Sequence, residues 1–123
     1  MKKKVLITGG TGFIGRNVVD ELISRGWEGH SLGFPPLAPE KEGLIQYEMN
    51  LMDTDAVNKF LKEHNFENLI HLAWYVGPKC HVHDLNLDWT LATLNLLKNF
   101  KENGGKRFAG AGTISEYEYK YGY

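Results

Sequence analysis

Short apolar runs alternate along this chain with longer stretches in which apolar residues return every three or four positions. Val5-Leu6-Ile7 is an apolar, partly β-branched run that stops at Gly9-Gly10, as a buried strand does. Ile14, Val18, Val19, Leu22 and Ile23 then recur at helical spacing, and Gly26 stands where a helix C-terminal glycine would. His30-Ser31-Leu32 predicts a weak second strand. The segment Phe34-Pro35-Pro36-Leu37-Ala38-Pro39 predicts a loop, because its prolines fix φ and remove backbone donors. Leu44-Ile45-Gln46-Tyr47 predicts a third strand. Asp53 or Thr54 can cap a helix with Ala56, Val57, Phe60 and Leu61 on one face. Asn68 to Ala73 predicts a fourth strand. From Leu85 to Asn103 apolar residues return at Leu87, Leu91, Leu94, Leu97 and, near the end, Phe100, which predicts a long helix closed by Gly104-Gly105. Lys106 to Gly110 begins a fifth strand. Strands alternating with helices of this length predict an α/β fold with a doubly wound parallel sheet of strand order 3-2-1-4-5. No internal repeat or low-complexity segment interrupts the pattern.

Composition narrows the class. A chain of 123 residues forms one domain and hides roughly two-thirds of its unfolded surface. With 42% hydrophobic and 24% charged residues it has globular proportions, which excludes disordered and fibrous classes. Fourteen Lys and Arg against fifteen Asp and Glu leave a net charge of −1, so no basic field exists for nucleic acid or an acidic membrane. One cysteine makes no internal disulfide, which fits a reducing compartment. Lys2-Lys3-Lys4 precede an apolar run too short for a signal peptide, and Leu69 to Val76 is too short to span a bilayer. The expectation is a cytoplasmic protein.

Thr8-Gly9-Gly10-Thr11-Gly12-Phe13-Ile14-Gly15 lies between the first strand and the first helix. It satisfies G-x-G-x-x-G through Gly10, Gly12 and Gly15, and G-x-x-G-x-x-G through Gly9, Gly12 and Gly15. Glycines serve here because a tight turn needs φ > 0 and a pyrophosphate must approach where a Cβ would stand. The N–H groups and dipole of the following helix then hold the anion. A dinucleotide is the expected ligand.

The Thr-Gly-x-x-Gly-x-x-Gly form resembles the extended short-chain dehydrogenase/reductase family, the NAD(P)-dependent epimerases and dehydratases of nucleotide sugars. Three further segments are similar. Asn50-Leu51-Met52-Asp53 matches the family's Asp-apolar pair beside the adenine, with Asn50 in place of Asp. His71-Leu72-Ala73-Trp74 matches its His-x-Ala-Ala strand end, with Trp74 in place of the second alanine. Ala111-Gly112-Thr113-Ile114-Ser115-Glu116-Tyr117 looks like the segment that carries its catalytic Ser or Thr. The four motifs occur in the family's order across Lys4 to Tyr123, which is more specific than any one of them.

The resemblance implies a Rossmann-type NAD(P)-binding domain over residues 1–123, the N-terminal part of a longer enzyme. It places Gly9, Thr11, Gly12, Phe13, Ile14 and Gly15 around the pyrophosphate. Asn50 would bond the adenine edge and Leu51 pack on the ring. Leu72, Ala73 and Trp74 would line the nicotinamide half of the crevice. Thr113 would hold the sugar hydroxyl or ketone, since its hydroxyl both donates and accepts. Two departures stand out. Gly33-Phe34 occupies the end of the second strand, where NAD-preferring members carry an acid, and Arg16 is either a solvated helix arginine or a cation for a 2′-phosphate. The cofactor is therefore NAD or NADP, with NADP favoured.

The family's Tyr-x-x-x-Lys base pair does not follow Thr113, and the chain ends ten residues later. Tyr75-Val76-Gly77-Pro78-Lys79 satisfies the string, but Gly77-Pro78 forbid the helical turn that would align its side chains. Cys80-His81-Val82-His83-Asp84 is dense in metal-ligand types, yet no second cluster accompanies it, so a polar loop is expected and no metal. His71 reads as a hydrogen-bonded core residue, and Trp27 and Trp89 as packing residues. The expected protein is the cofactor-binding portion of an epimerase, dehydratase or reductase acting by hydride transfer on a nucleotide sugar, inactive by itself and capable of homodimerising. Its rivals are a non-catalytic NAD(P)-binding or sensing module and a related reductase of a non-sugar carbonyl.

Overall fold

Every apolar run closes into a strand, and the stretches between return the chain across one or the other face of a single sheet. The structure, a computed structural model, describes residues 1–113. In chain order its elements are β1 (Lys4–Thr8), α1 (Phe13–Ser24), β2 (Glu28–Gly33), β3 (Leu44–Glu48), α2 (Thr54–His64), β4 (Asn68–His71), α3 (Leu85–Glu102) and β5 (Arg107–Gly110). All strand pairs are parallel and the order is β3-β2-β1-β4-β5, the expected Rossmann-type sheet. The expected Ile114-Ser115-Glu116-Tyr117 segment lies outside the described residues. Among those described, no helix is long and apolar enough to cross a membrane.

The two-residue period of β1 sorts the core into two layers. Val5 and Ile7 point to one face and pack with Val19 of α1, flanked by Leu22, Ile23 and Trp27. Leu6 points to the other face, where Leu32, Leu69, Val57, Leu61, Leu96 and Phe100 form the larger cluster under α2 and α3. Each such fully buried side chain contributes about 1.5–3 kcal/mol by leaving water. α2 is capped as expected by Asp53, whose Oδ1 accepts the Ala56 N–H at 3.1 Å. α1 ends at Gly26, which has φ +80° and donates its N–H to the Ile23 carbonyl.

Two elements differ from expectation. β2 is longer than His30-Ser31-Leu32, because pairing on both sides by β1 and β3 extends it over two glycines. β4 stops at His71 instead of running to Ala73. Beside it, β1 ends at Thr8, whose carbonyl accepts the Leu72 N–H at 3.1 Å, and Gly9 (φ +73°) turns away, so the ladder goes no further. α3 forms where it is expected, and packing decides which of its apolar rows turns inward. Ala92, Leu96, Asn99 and Phe100 are buried, while Leu87, Leu91 and Leu94 are 72%, 66% and 58% exposed. This helix is apolar on more than one side, so leucine periodicity alone could not orient it. Ala92 sits on the row turned inward, and Asn95 donates to Asn58 of α2 at 3.1 Å.

Candidate functional site

The glycine loop crosses the carboxyl end of β1, where the sheet order reverses and neighbouring crossovers leave to opposite faces. Its path depends on close approach. A Cβ on Gly9 would lie 2.7 Å from the Ala73 nitrogen, and one on Gly15 only 1.9 Å from the Gly9 carbonyl oxygen. Gly15 thereby lets α1 sit directly on the loop. Gly12 differs, since a Cβ there would meet only the Gly9 oxygen, at 3.3 Å. Gly12 is also the N-cap of α1. It offers no side chain to the first-turn N–H groups, and that turn carries no acid. An uncapped helix start with this dipole is suited to an anion.

A cavity of about 690 Å³ opens over this loop. Gly9, Thr11, Gly12, Phe13, Ile14 and Gly15 form its floor; Gly33 and Phe34, at the end of β2, close one side. Asn50 and Leu51 follow from the end of β3, and Leu72, Ala73 and Trp74 from the end of β4. The structure thus brings together thirteen of the residues singled out from sequence. Arg16 is not among the lining; its guanidinium lies 5.4 Å from the centre of the Phe13 ring, on the exposed side of α1. Asn50 uses its Oδ1 to accept the Met52 N–H at 3.0 Å, so the amide N–H₂ is the group it can offer a ligand. Among the described residues no lining side chain is ionisable, which leaves the helix start as their chief electrostatic feature at the site.

Sequence reasoning missed Leu32, Met49, Val76, Trp89 and Ala111 in the same wall. Leu32, Met49 and Ala111 lie at or just past strand ends, so the strand order was the signal that could have found them. Trp89 also packs against the larger core, as expected of it.

A second cavity, about 760 Å³, adjoins the first and shares Leu72, Ala73, Trp74, Val76 and Ala111 with it. Thr113 lines this second cavity, together with Cys80, His81 and Tyr75. The Trp74 indole N–H donates to Asn86 Oδ1 at 2.9 Å, and Asn86 donates to the Cys80 carbonyl at 2.6 Å, which fixes the partition between the cavities. Tyr75 and Lys79 do not align. The Tyr75 hydroxyl donates to the Pro78 carbonyl at 3.0 Å, and Lys79 has φ +56°. Among the described residues, no group of three or more His, Cys, Asp or Glu could hold a metal ion.

His71, at the end of β4, is buried and hydrogen-bonded. Its Nδ1 meets the Thr8 hydroxyl at 2.6 Å and its Nε2 meets Thr93 Oγ1 at 2.9 Å. Burial lowers its pKa, because a charged imidazole would lose hydration there.

A doubly wound parallel sheet with a glycine loop at its switch point and an uncapped helix start behind it defines the Rossmann class. Within that class, the chain belongs to the NAD-dependent epimerase/dehydratase family, whose profile matches residues 5–120. It is 30% identical over 120 residues to a dTDP-6-deoxy-L-talose 4-dehydrogenase (NAD(+)) of Aggregatibacter actinomycetemcomitans, covering 96% of this chain and 44% of that protein. The UDP-glucose 4-epimerase of Thermotoga maritima, solved with UDP-glucose, superposes with a TM-score of 0.76 at 27% identity, over 89% of this chain and 38% of that one. The UDP-glucose 4-epimerase of Thermus thermophilus, solved in complex with NAD, gives 0.73 at 30% identity, over 85% and 36%. The chain therefore spans less than half the length of these relatives.

Proposed function

We propose that this chain is the dinucleotide-binding portion of an NAD(P)-dependent epimerase, dehydratase or reductase acting on a nucleotide sugar. The observation that carries the reading is the cavity itself, in which the glycine loop, the uncapped start of α1 and the ends of β2, β3 and β4 meet around an uncharged crevice. The open space at Gly12 and the free first turn fit a pyrophosphate, and the long apolar walls fit two flat rings. When bound, the nicotinamide supplies a hydride acceptor or donor. Among the chain's own residues, Asn50 orients the adenine, Leu72, Ala73 and Trp74 exclude water from the nicotinamide end, and Thr113 positions the substrate oxygen in the adjoining cavity. Gly33 and Phe34 offer no carboxylate to repel a 2′-phosphate, so NADP is accommodated as well as NAD.

Calorimetric titration with NADH and NADPH tests this reading. Both are expected to bind one per chain, NADPH at least as tightly, with no turnover of nucleotide sugars by the 123-residue chain. Absence of heat with both ligands would remove the reading, and a strong preference for NADH would remove its NADP clause.

The exposed Leu87, Leu91 and Leu94 form an apolar stripe on α3 that fits a second copy of the chain. Light scattering is expected to show concentration-dependent dimers that Leu91→Glu converts to monomers. A parent chain monomeric at high concentration would exclude this contact.

A further inference from the structure

Trp74 stands on the boundary between the two cavities, since it lines both. Of its two neighbours on α3, Trp89 lines the first cavity and Asn86 the second, three positions apart on one side of the helix. The indole is caught between them. Its ring lies 6.1 Å from that of Trp89, with 34° between the planes, and Trp89 itself packs on the larger core. On the other side its N–H donates to Asn86 Oδ1 at 2.9 Å. That N–H is the only polar group an indole has, so the rest of the ring offers a ligand apolar surface. At 39% exposed, part of that surface stays open to the cavities.

Asn86 is fixed at both ends of its amide. Its Nδ2 donates to the Cys80 carbonyl at 2.6 Å, while Oδ1 takes the indole N–H. Exchanging the two amide atoms would set donor against donor at Trp74 and acceptor against acceptor at Cys80, so one orientation satisfies both bonds. The Asn86 backbone is held as well. Its N–H donates to the His83 carbonyl at 3.0 Å, and the Thr90 hydroxyl donates to its carbonyl at 2.7 Å. The Cys80 end is braced by a turn, with the Cys80 N–H donating to the Gly77 carbonyl at 3.2 Å. One side chain of α3 thereby ties the chain just past β4 to the loop that follows it. Without that side chain the indole is free to turn about its side-chain torsions, and a ligand has to order it on binding.

We propose that Asn86 is a positioning residue for the nicotinamide ring: it locks the Trp74 indole in advance as the apolar wall against which that ring lies. The proposal rests on the dinucleotide reading of the crevice and deepens it at one end. Losing the amide then weakens only ligands that carry the ring. The expected loss is roughly fivefold in NADH affinity, the size of ordering one free side chain on binding.

Calorimetry of the parent and of Asn86→Ala with NADH and with ADP-ribose tests it. ADP-ribose carries the adenosine and the pyrophosphate but no nicotinamide. Asn86→Ala is expected to bind NADH roughly fivefold more weakly and ADP-ribose within about twofold of the parent, the second result also showing that the glycine loop is folded. Trp74→Phe keeps a flat ring and removes the N–H. It is expected to lose NADH affinity by a similar factor, and the double variant to lose no more than either single one. Without ligand, the Trp74 indole proton should move in the NMR spectrum of Asn86→Ala toward the position of a free indole. NADH affinity unchanged by Asn86→Ala, equal losses for NADH and ADP-ribose, or losses that add in the double variant would each overturn the proposal and leave the dinucleotide reading standing. A parent that binds neither ligand would remove that reading, and the role of Asn86 with it.

Discussion

Gly12→Val is expected to abolish detectable NADH and NADPH binding, a loss of about a hundredfold or more, or roughly 2.7 kcal/mol, with little change in stability. The asymmetry comes from where the side chain would go. Gly12 has φ −74° and ψ 177°, a conformation open to any residue, and a Cβ there touches protein only at the Gly9 oxygen, 3.3 Å away. Valine's remaining atoms therefore project into the cavity, across the N–H groups of the first turn of α1. The fold tolerates them and a pyrophosphate does not. Tryptophan fluorescence titration suits the comparison because Trp74 and Trp89 line the crevice. Equal signals from variant and parent would mean that the ligand, if bound, sits elsewhere.

Gly15→Ala should show the reverse emphasis. Its Cβ would lie 1.9 Å from the Gly9 oxygen and 2.8 Å from the Gly10 Cα, and both are backbone atoms that cannot rotate away. α1 would have to lift from β1, opening the layer formed by Val5, Ile7 and Val19. Overpacking of this kind costs about 3 kcal/mol, near the upper end of its usual range, and most of a small domain's stability lies within a few such increments. A marked drop in the urea midpoint is expected, with binding lost because the loop has moved. An unchanged midpoint would show that the helix does not pack on the loop as described.

These two glycines explain why the loop was legible in the sequence while other parts of the site were not. Glycine here is a steric requirement, and its spacing survives in the bare string of residues. The strand order was legible for a related reason: alternating strands and helices with right-handed crossovers leave few topologies. The inward face of α3 was not, because Leu87, Leu91 and Leu94 repeat at helical spacing as well as the buried Ala92, Leu96 and Phe100 do. Only packing against α2 and the sheet chooses between the rows. The role of Arg16 also depended on direction, and the structure turns it toward Phe13 on the outside of α1. The Thr8–His71–Thr93 network lay furthest out of reach. Thr8 and His71 are paired neighbours across β1 and β4 but 63 positions apart in the chain, and their hydrogen bonds depend on a register that hydrophobic pattern does not specify.

The most direct test of dinucleotide binding in the crevice is an amide NMR titration of the ¹⁵N-labelled chain with NADPH. Shift changes are expected to concentrate at Gly9, Gly12 to Gly15, Gly33, Asn50, Ala73 and the Trp74 indole, with Glu28 and His64 at the opposite end of the sheet unmoved. No shifts at saturating ligand, or shifts confined to that opposite end, would contradict it.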